Sequence, residues 1–152
     1  MPTILPIDSG YDFATVSYFG LEVQGLVTFF KEATGFGSEH EVAMQKVTDS
    51  KGNTTVRKIP GTMKWDDLVL KRGMDKTMDL YNWRQEVVNG KVTSARKDGS
   101  LMFFDGEGNI VARFNFVKGW PSKYKGPDAN SENTAVAVEE MTIVHEGIER
   151  VQ

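Results

Sequence analysis

Apolar positions along the chain recur mostly at intervals of two. Phe19, Leu21 and Val23 alternate with Tyr18, Gly20 and Glu22, the spacing of a half-buried strand. Gly25 punctuates this run, and Val27 to Ala33 predicts a second strand after a tight connection, giving an antiparallel pair. Glu41 to Val47 and Thr54 to Ile59 predict the arms of a long polar hairpin. Its turn is the cluster from Thr48 to Thr54, and Pro60-Gly61 ends it. A hairpin this polar does not hold up a core of its own, so it is either a solvated excursion or an arm reaching a partner. Trp65 to Arg72 predicts a further strand, with Leu68 and Leu70 on one face and Gly73 closing it.

The period changes once. Lys76 to Asn89 predicts a helix with Asp75 as N-cap and Asn89-Gly90 as its left-handed stop. Leu80, Trp83 and Val87 form its apolar stripe, widened by Tyr81 and Val88, while Asp79, Asn82 and Glu86 face solvent. Lys91 to Lys97, Leu101 to Asp105 and Ile110 to Lys118 return to strands, the last two joined by the hairpin turn Gly106-Glu-Gly-Asn109. Gly119 to Asp128 reads as loop from its prolines and glycines, and Ala135 to His145 as the last strand. The first dozen residues, with two of the five prolines, read as a surface arm. The fold class expected is mainly β: an antiparallel barrel or sandwich with one flanking helix, in a single domain over 1–152.

Composition narrows what such a domain does. Apolar residues at 39%, charged at 26% and aromatics at 11% describe a folded chain with a β bias. A net charge of −3 argues against a nucleic-acid partner, which calls for a basic excess. The absence of cysteine excludes disulfides and thiolate metal sites. The N-terminus lacks the basic and apolar regions of a signal peptide and no run reaches membrane-spanning length, so cytoplasmic synthesis without membrane anchoring is expected.

Candidate chemistry is thin. His40 stands between Glu39 and Glu41, and His145 beside Glu146, but neighbours in a strand point to opposite faces and there is no H-E-x-x-H. Carboxylates cluster at Asp66-Asp67, at Glu139-Glu140 and at Asp105 with Glu107. The last resembles a short calcium loop but lacks the later bidentate Glu, and a hairpin turn accounts for its glycines. Gly35-Phe-Gly37 precedes no helix that could offer a phosphate its N-terminus. Met44, Met63, Met74, Met78, Met102 and Met141 are scattered and are expected to fill gaps in the core. No catalytic residue, metal site or cofactor is assigned, and an enzyme is not expected.

Several segments together resemble one family, the tube proteins of contractile phage tails and related extracellular injection particles. They are Gly25 to Gly35, Arg57-Lys-Ile-Pro-Gly61, Leu68-Val-Leu-Lys-Arg-Gly73, Leu80-Tyr-Asn-Trp83, Trp120-Pro-Ser-Lys-Tyr-Lys-Gly-Pro-Asp128, Asn133, and Glu139 to Ile148. The motif positions are Pro60, Gly61, Leu70, Lys71, Arg72, Gly73, Tyr81, Trp83, Trp120, Pro121, Tyr124, Asn133, Glu139, His145, Glu146 and Gly147. Lys118-Gly119 depart from the pattern where Asn-Ala is expected.

The resemblance implies a barrel-like fold shared with the type VI secretion tube protein. It implies six-membered rings that stack into a hollow tube inside a contractile sheath, delivering cargo or DNA. The expected partners are further copies of the chain, the sheath, the baseplate or spike hub, tube-terminating proteins and effector cargo in the lumen. Residues 42–60 would be an extended loop touching the next ring through Lys46, Asp49, Ser50, Lys51, Gly52, Asn53 and Arg57, with 1–13 an N-terminal arm. The competing reading is a small-ligand carrier, which requires a closed apolar cavity within one chain.

Overall fold

The structure, a computed structural model, describes residues 15–74, 76–128 and 137–152. In chain order the strands are β1 (Tyr18–Val23), β2 (Leu26–Phe30), β3 (Glu32–Thr34), β4 (Ser38–Thr48), β5 (Thr54–Trp65) and β6 (Leu68–Gly73). The helices α1 (Asp79–Val88) and α2 (Val92–Ala95) follow, then β7 (Lys97–Phe104), β8 (Ile110–Lys125), β9 (Val138–Val144) and β10 (Gly147–Arg150). The expected mainly β, antiparallel class with few helices is what forms. The expected N-cap Asp75, the motif position Asn133 and the arm 1–13 lie outside the described residues.

Gln24 and Gly25, at φ of 48° and 82°, make the two-residue turn between β1 and β2. Paired positive φ values match the twist of a tight hairpin. Its register sets Leu21 opposite Thr28 and Phe19 opposite Phe30, so one face of both strands turns inward. The strand expected from Val27 to Ala33 divides at Lys31: β2 pairs with β1, whereas β3 pairs with β6. The long β8 divides its partners in the same way, pairing with β7 and β10 through its first half and with β9 through its second. The order β2-β1-β7-β8-β9-β6-β3 therefore runs through two faces that share β8 and the β2–β3 segment.

That sharing corrects the reading of Gly119 to Asp128 as loop, because β8 continues to Lys125. Lys118, at φ 50°, starts the bend, and a register shift between Pro121 and Lys123 absorbs the proline's missing donor. Gly119 is required here: a Cβ would overlap the ring of Phe116. The core between the faces holds Leu21, Phe30, Leu68, Leu70, Leu101, Phe116, Met141 and Ile143, capped by Leu80 and Trp83 of α1. Side chains fill this interior.

Other boundaries move for local reasons. The strand expected over Lys91 to Lys97 begins as helix α2, because docking Ala95 beneath Trp83 overrides the β preference of Val92 and Thr93; Trp83 Nε1 donates to the Ala95 carbonyl at 2.7 Å. α1 starts at Asp79, not Lys76, and ends as expected with Gly90 at φ 82°. Tyr81 and Val88 lie on its exposed side, whereas Val87 packs on the core. Trp65 ends β5, and the strand expected from Trp65 begins instead at Leu68. The methionine expectation holds for Met102 and Met141 only; Met44, Met63, Met74 and Met78 are exposed.

Candidate functional site

Two features stand out: a buried cation at one end of β6, and a ribbon beyond the other end. Arg72 ends the inward-facing row Leu68, Leu70, Arg72, and its side chain is 5% exposed. Burying a guanidinium demands partners for its fork of donors. Nε meets Glu139 Oε1, Nη1 meets the Thr28 hydroxyl, and Nη2 meets Asp79 Oδ1 at 2.8 Å, with the Phe30 ring 5.9 Å from the guanidinium carbon. The Tyr124 hydroxyl donates to the second Glu139 oxygen at 2.6 Å. Arg72 thus joins β2, β6, β9 and the start of α1, and Glu139 carries the link on to Tyr124 of β8. Asp79, read from sequence as a solvent-facing position, is instead an inward anchor; its Oδ1 also accepts the Leu80 amide at 2.8 Å.

The protonation states follow from this network. Burial works against the Arg72 charge, but hydrogen bonds and attraction from Asp79 and Glu139 outweigh it and raise its pKa. Burial would raise Asp79, yet the bonds from Arg72 and the Leu80 amide hold it below the usual carboxylate range. Burial and the bond to Glu139 push Tyr124 up to about 12.

The hairpin is longer than the expected 42–60: β4 and β5 run from Ser38 to Trp65, and Pro60-Gly61 lies inside the ladder, not at its end. A bulge between His40 and Val42 accommodates the proline, and a Cβ on Gly61 would meet the Glu41 carbonyl oxygen at 2.8 Å. Nearly every residue of the ribbon is exposed, and it forms a separate two-stranded sheet.

At its tip Asp49 accepts the amides of Lys51 and Asn53 at 2.9 and 2.8 Å, with Gly52 at φ 82°. Asp105 accepts those of Glu107 and Asn109, both at 2.9 Å, with Gly108 at φ 86°. The pattern D-x-x-G-N, present in both segments, is the sequence signal that identifies these as one turn. Of the residues expected to contact a neighbour, Asp49, Gly52 and Asn53 build the turn, while Lys46, Ser50, Lys51 and Arg57 present side chains to solvent.

The remaining motif positions are mostly architectural. Leu70 is fully buried, Pro121 is in the core, and Arg84 donates to its carbonyl at 3.2 Å. Tyr81 meets Tyr124 edge to face, with ring centroids 5.8 Å apart. Lys71, on the outer face, lies between Glu32 and Glu140 at 3.7 and 3.9 Å. His145 Nε2 lies 3.1 Å from the Asp66 carbonyl; burial lowers its pKa, and that contact opposes the shift. Glu146 pairs with Lys118 at 3.5 Å, and Gly147 opposite Val117 opens β10. Trp120 pairs with Val144 at the start of the β8–β9 ladder. His40 sits opposite Met63 in the ribbon, on a different element from His145. Among the described residues no three His, Asp or Glu side chains converge on a site that could hold a metal.

Residues 15–149 match the model of a family described as T4-like virus tail tube protein gp19. The chain belongs to that family. Among solved structures, this tail tube fold is similar to a chain of an extracellular contractile injection system, the PVC sheath-tube complex in its extended state. The TM-score is 0.73 at 18% identity over 95% of each chain. A chain of the PVC sheath/tube terminator gives 0.72 at 17%, covering 93% of this chain and 98% of that one. Hcp1 from Flavobacterium johnsoniae gives 0.51 at 22%, over 88% and 94%. At these identities the likeness is one of fold. A search of curated proteins finds no match. The tail tube family is a structural one, and the motif residues here serve packing, turns and the Arg72 network. No helix among the described residues is long and apolar enough to cross a membrane.

Proposed function

We propose that the protein is the inner-tube subunit of a contractile tail or injection particle. Copies of it form six-membered rings that stack into a hollow tube within a contractile sheath, through which cargo or DNA passes. The observation that carries this reading, given the family, is the ribbon. A two-stranded sheet exposed on both faces is marginal in water and gains stability only against another surface. β10 likewise pairs only with β8 among the described residues, leaving its other edge for a second chain. Structures of similar fold come from a sheath-tube complex, a sheath/tube terminator, a baseplate and a tube-terminating cap. That supports a sheath, a terminator and a baseplate as the partners here. Nothing in the site calls for bond-making chemistry, and an enzymatic role is not part of the proposal.

Electron microscopy of the purified protein at high concentration, alone and with its baseplate partner, tests the reading. Rings and stacked tubes are expected. A protein that stays monomeric under both conditions sinks it.

A further inference from the structure

The ribbon meets the body through a short root. On the incoming leg Phe36 packs on Phe103 and Phe114, with ring centroids 5.0 Å away in each case. Gly35, at φ 98°, lies so close to the outgoing leg that a Cβ would overlap the Asp67 carbonyl. On that outgoing leg Trp65 ends β5, and the Asp66 amide donates to the Gly37 carbonyl at 3.1 Å. His145 ties this leg to the body: Nε2 stands 3.1 Å from the Asp66 carbonyl oxygen, and the ring packs beside Trp65 and Phe116, centroids 6.0 and 6.3 Å away. The root therefore aims what the ribbon carries. Residues 42–60 hold Lys46, Lys51, Arg57 and Lys58 against Asp49 alone, in a chain of net charge −3, and Val42, Met44 and Val56 are exposed on them.

The partners of His145 settle where its proton sits. A carbonyl only accepts, so Nε2 carries the hydrogen and Nδ1 of the neutral ring is a bare lone pair. Nδ1 is buried and has no hydrogen-bond partner among the described residues. A lone pair is tolerated there, but a second N–H and a full charge would face the Trp65 and Phe116 rings without an acceptor. Burial accordingly lowers the His145 pKa, offset in part by the Asp66 and Gly147 backbones and the Asp67 carboxylate. The charged groups around the ring are Asp66 and Asp67 on the ribbon leg, and on the β8 side Glu146 and Lys118, which pair with each other at 3.5 Å. The body side is fixed, because the Glu146 amide donates to the Val117 carbonyl at 3.0 Å and β10 pairs with β8 from Gly147 on. A protonated ring gains its second acceptor by turning outward, to water or Asp67, and in turning it leaves Asp66 and Trp65.

We propose that His145 is a pH-operated latch at the root of the ribbon: neutral, it holds Asp66 and fixes the direction in which β4 and β5 leave the body, and protonated, it lets go. The latch is closed above the ordinary imidazole range and opens as pH falls below it. Phe36 carries no charge, so the incoming leg stays seated and the ribbon pivots about it with the body still folded. The latch is internal to one chain and goes beyond the tube reading.

The sequence has no cysteine and two histidines. Nitroxides on Lys51→Cys at the ribbon tip and Val88→Cys on the exposed side of α1 therefore report the ribbon's direction, and His40→Gln leaves His145 as the sole imidazole. In dilute, unassembled protein carrying all three changes, the distance between labels should be narrowly distributed at about pH 7.5 and broad at about pH 5, with a midpoint below about 6.5. The ring-proton shifts of His145 should titrate with the same midpoint. Adding His145→Gln, whose amide can donate to Asp66 but does not titrate, should keep the distribution narrow throughout. A distribution that does not change with pH, or one that broadens equally in His145→Gln, overturns the latch. If His145→Gln does not fold, the midpoints decide: coincidence supports the latch, and broadening at a pH where the ring does not titrate overturns it. Whether tubes form alters none of these outcomes, so the tube reading stands or falls separately.

Discussion

Replacing Arg72 by methionine takes the cation from between Glu139 and Asp79 and leaves carboxylates without their main partner, one of them buried. Breaking a buried pair from one side costs about 3–5 kcal/mol. Urea unfolding of Arg72→Met should show a loss of that size, whereas Lys71→Met, removing exposed pairs, should cost about 1 kcal/mol or less. The pH dependence follows from the directions of the shifts. The Asp79 pKa is depressed by folding, so its contribution is present above the ordinary carboxylate range and is lost as pH falls through the folded value. Tyr124 is raised to about 12, so its contribution holds below about pH 10 and fades between there and about pH 12. Tyr124→Phe should therefore flatten the alkaline limb of a thermal-stability profile. An unchanged limb would separate Tyr124 from that loss.

At the scale of elements, what was legible in the sequence was what local pattern controls. Alternation marks β1 and the first half of β8, the strand expected from Leu101 covers only the second half of β7, and Asn89-Gly90 marks the end of α1. Two segments escaped because long-range contacts decide them: Val92–Ala95 is helical because Ala95 docks on Trp83, and Trp120-Pro121 is strand because β9 pairs with it. Arg72 was visible as a motif residue, but its partners Thr28, Asp79 and Glu139 are distant in sequence, and no spacing brings them together. The ribbon runs on past Pro60-Gly61, a pair that reads as a stop in the sequence, because a bulge absorbs it. Its independence from the body leads to a prediction. Replacing residues 41–62 by a short Asn-Gly turn should leave the thermal midpoint of the monomer little changed, because the ribbon buries almost nothing on its own body. The same deletion should abolish tubes in micrographs. A deletion variant that no longer folds would show that the ribbon belongs to the body's own core.

For the whole molecule, the consequence of a basic ribbon on an acidic chain is a salt-dependent assembly. Attraction between exposed charges is screened over about 10 Å at 0.1 M salt and about 3 Å at 1 M, whereas burial of Met44 and Val42 is not weakened that way. Stacking followed by light scattering should therefore fall as salt rises, yet not vanish. Reversing ribbon charges, in Lys46→Glu/Lys58→Glu, turns attraction into repulsion between the ribbon and the chain it meets. Salt then screens the repulsion, so the same variant should stack poorly at low salt and recover as salt is raised. The two opposite slopes separate an electrostatic contribution from a general effect of salt on solubility, which would move both proteins in the same direction. If the wild type and the reversed variant respond alike, the ribbon's charge plays no part in stacking and apolar contact alone holds it.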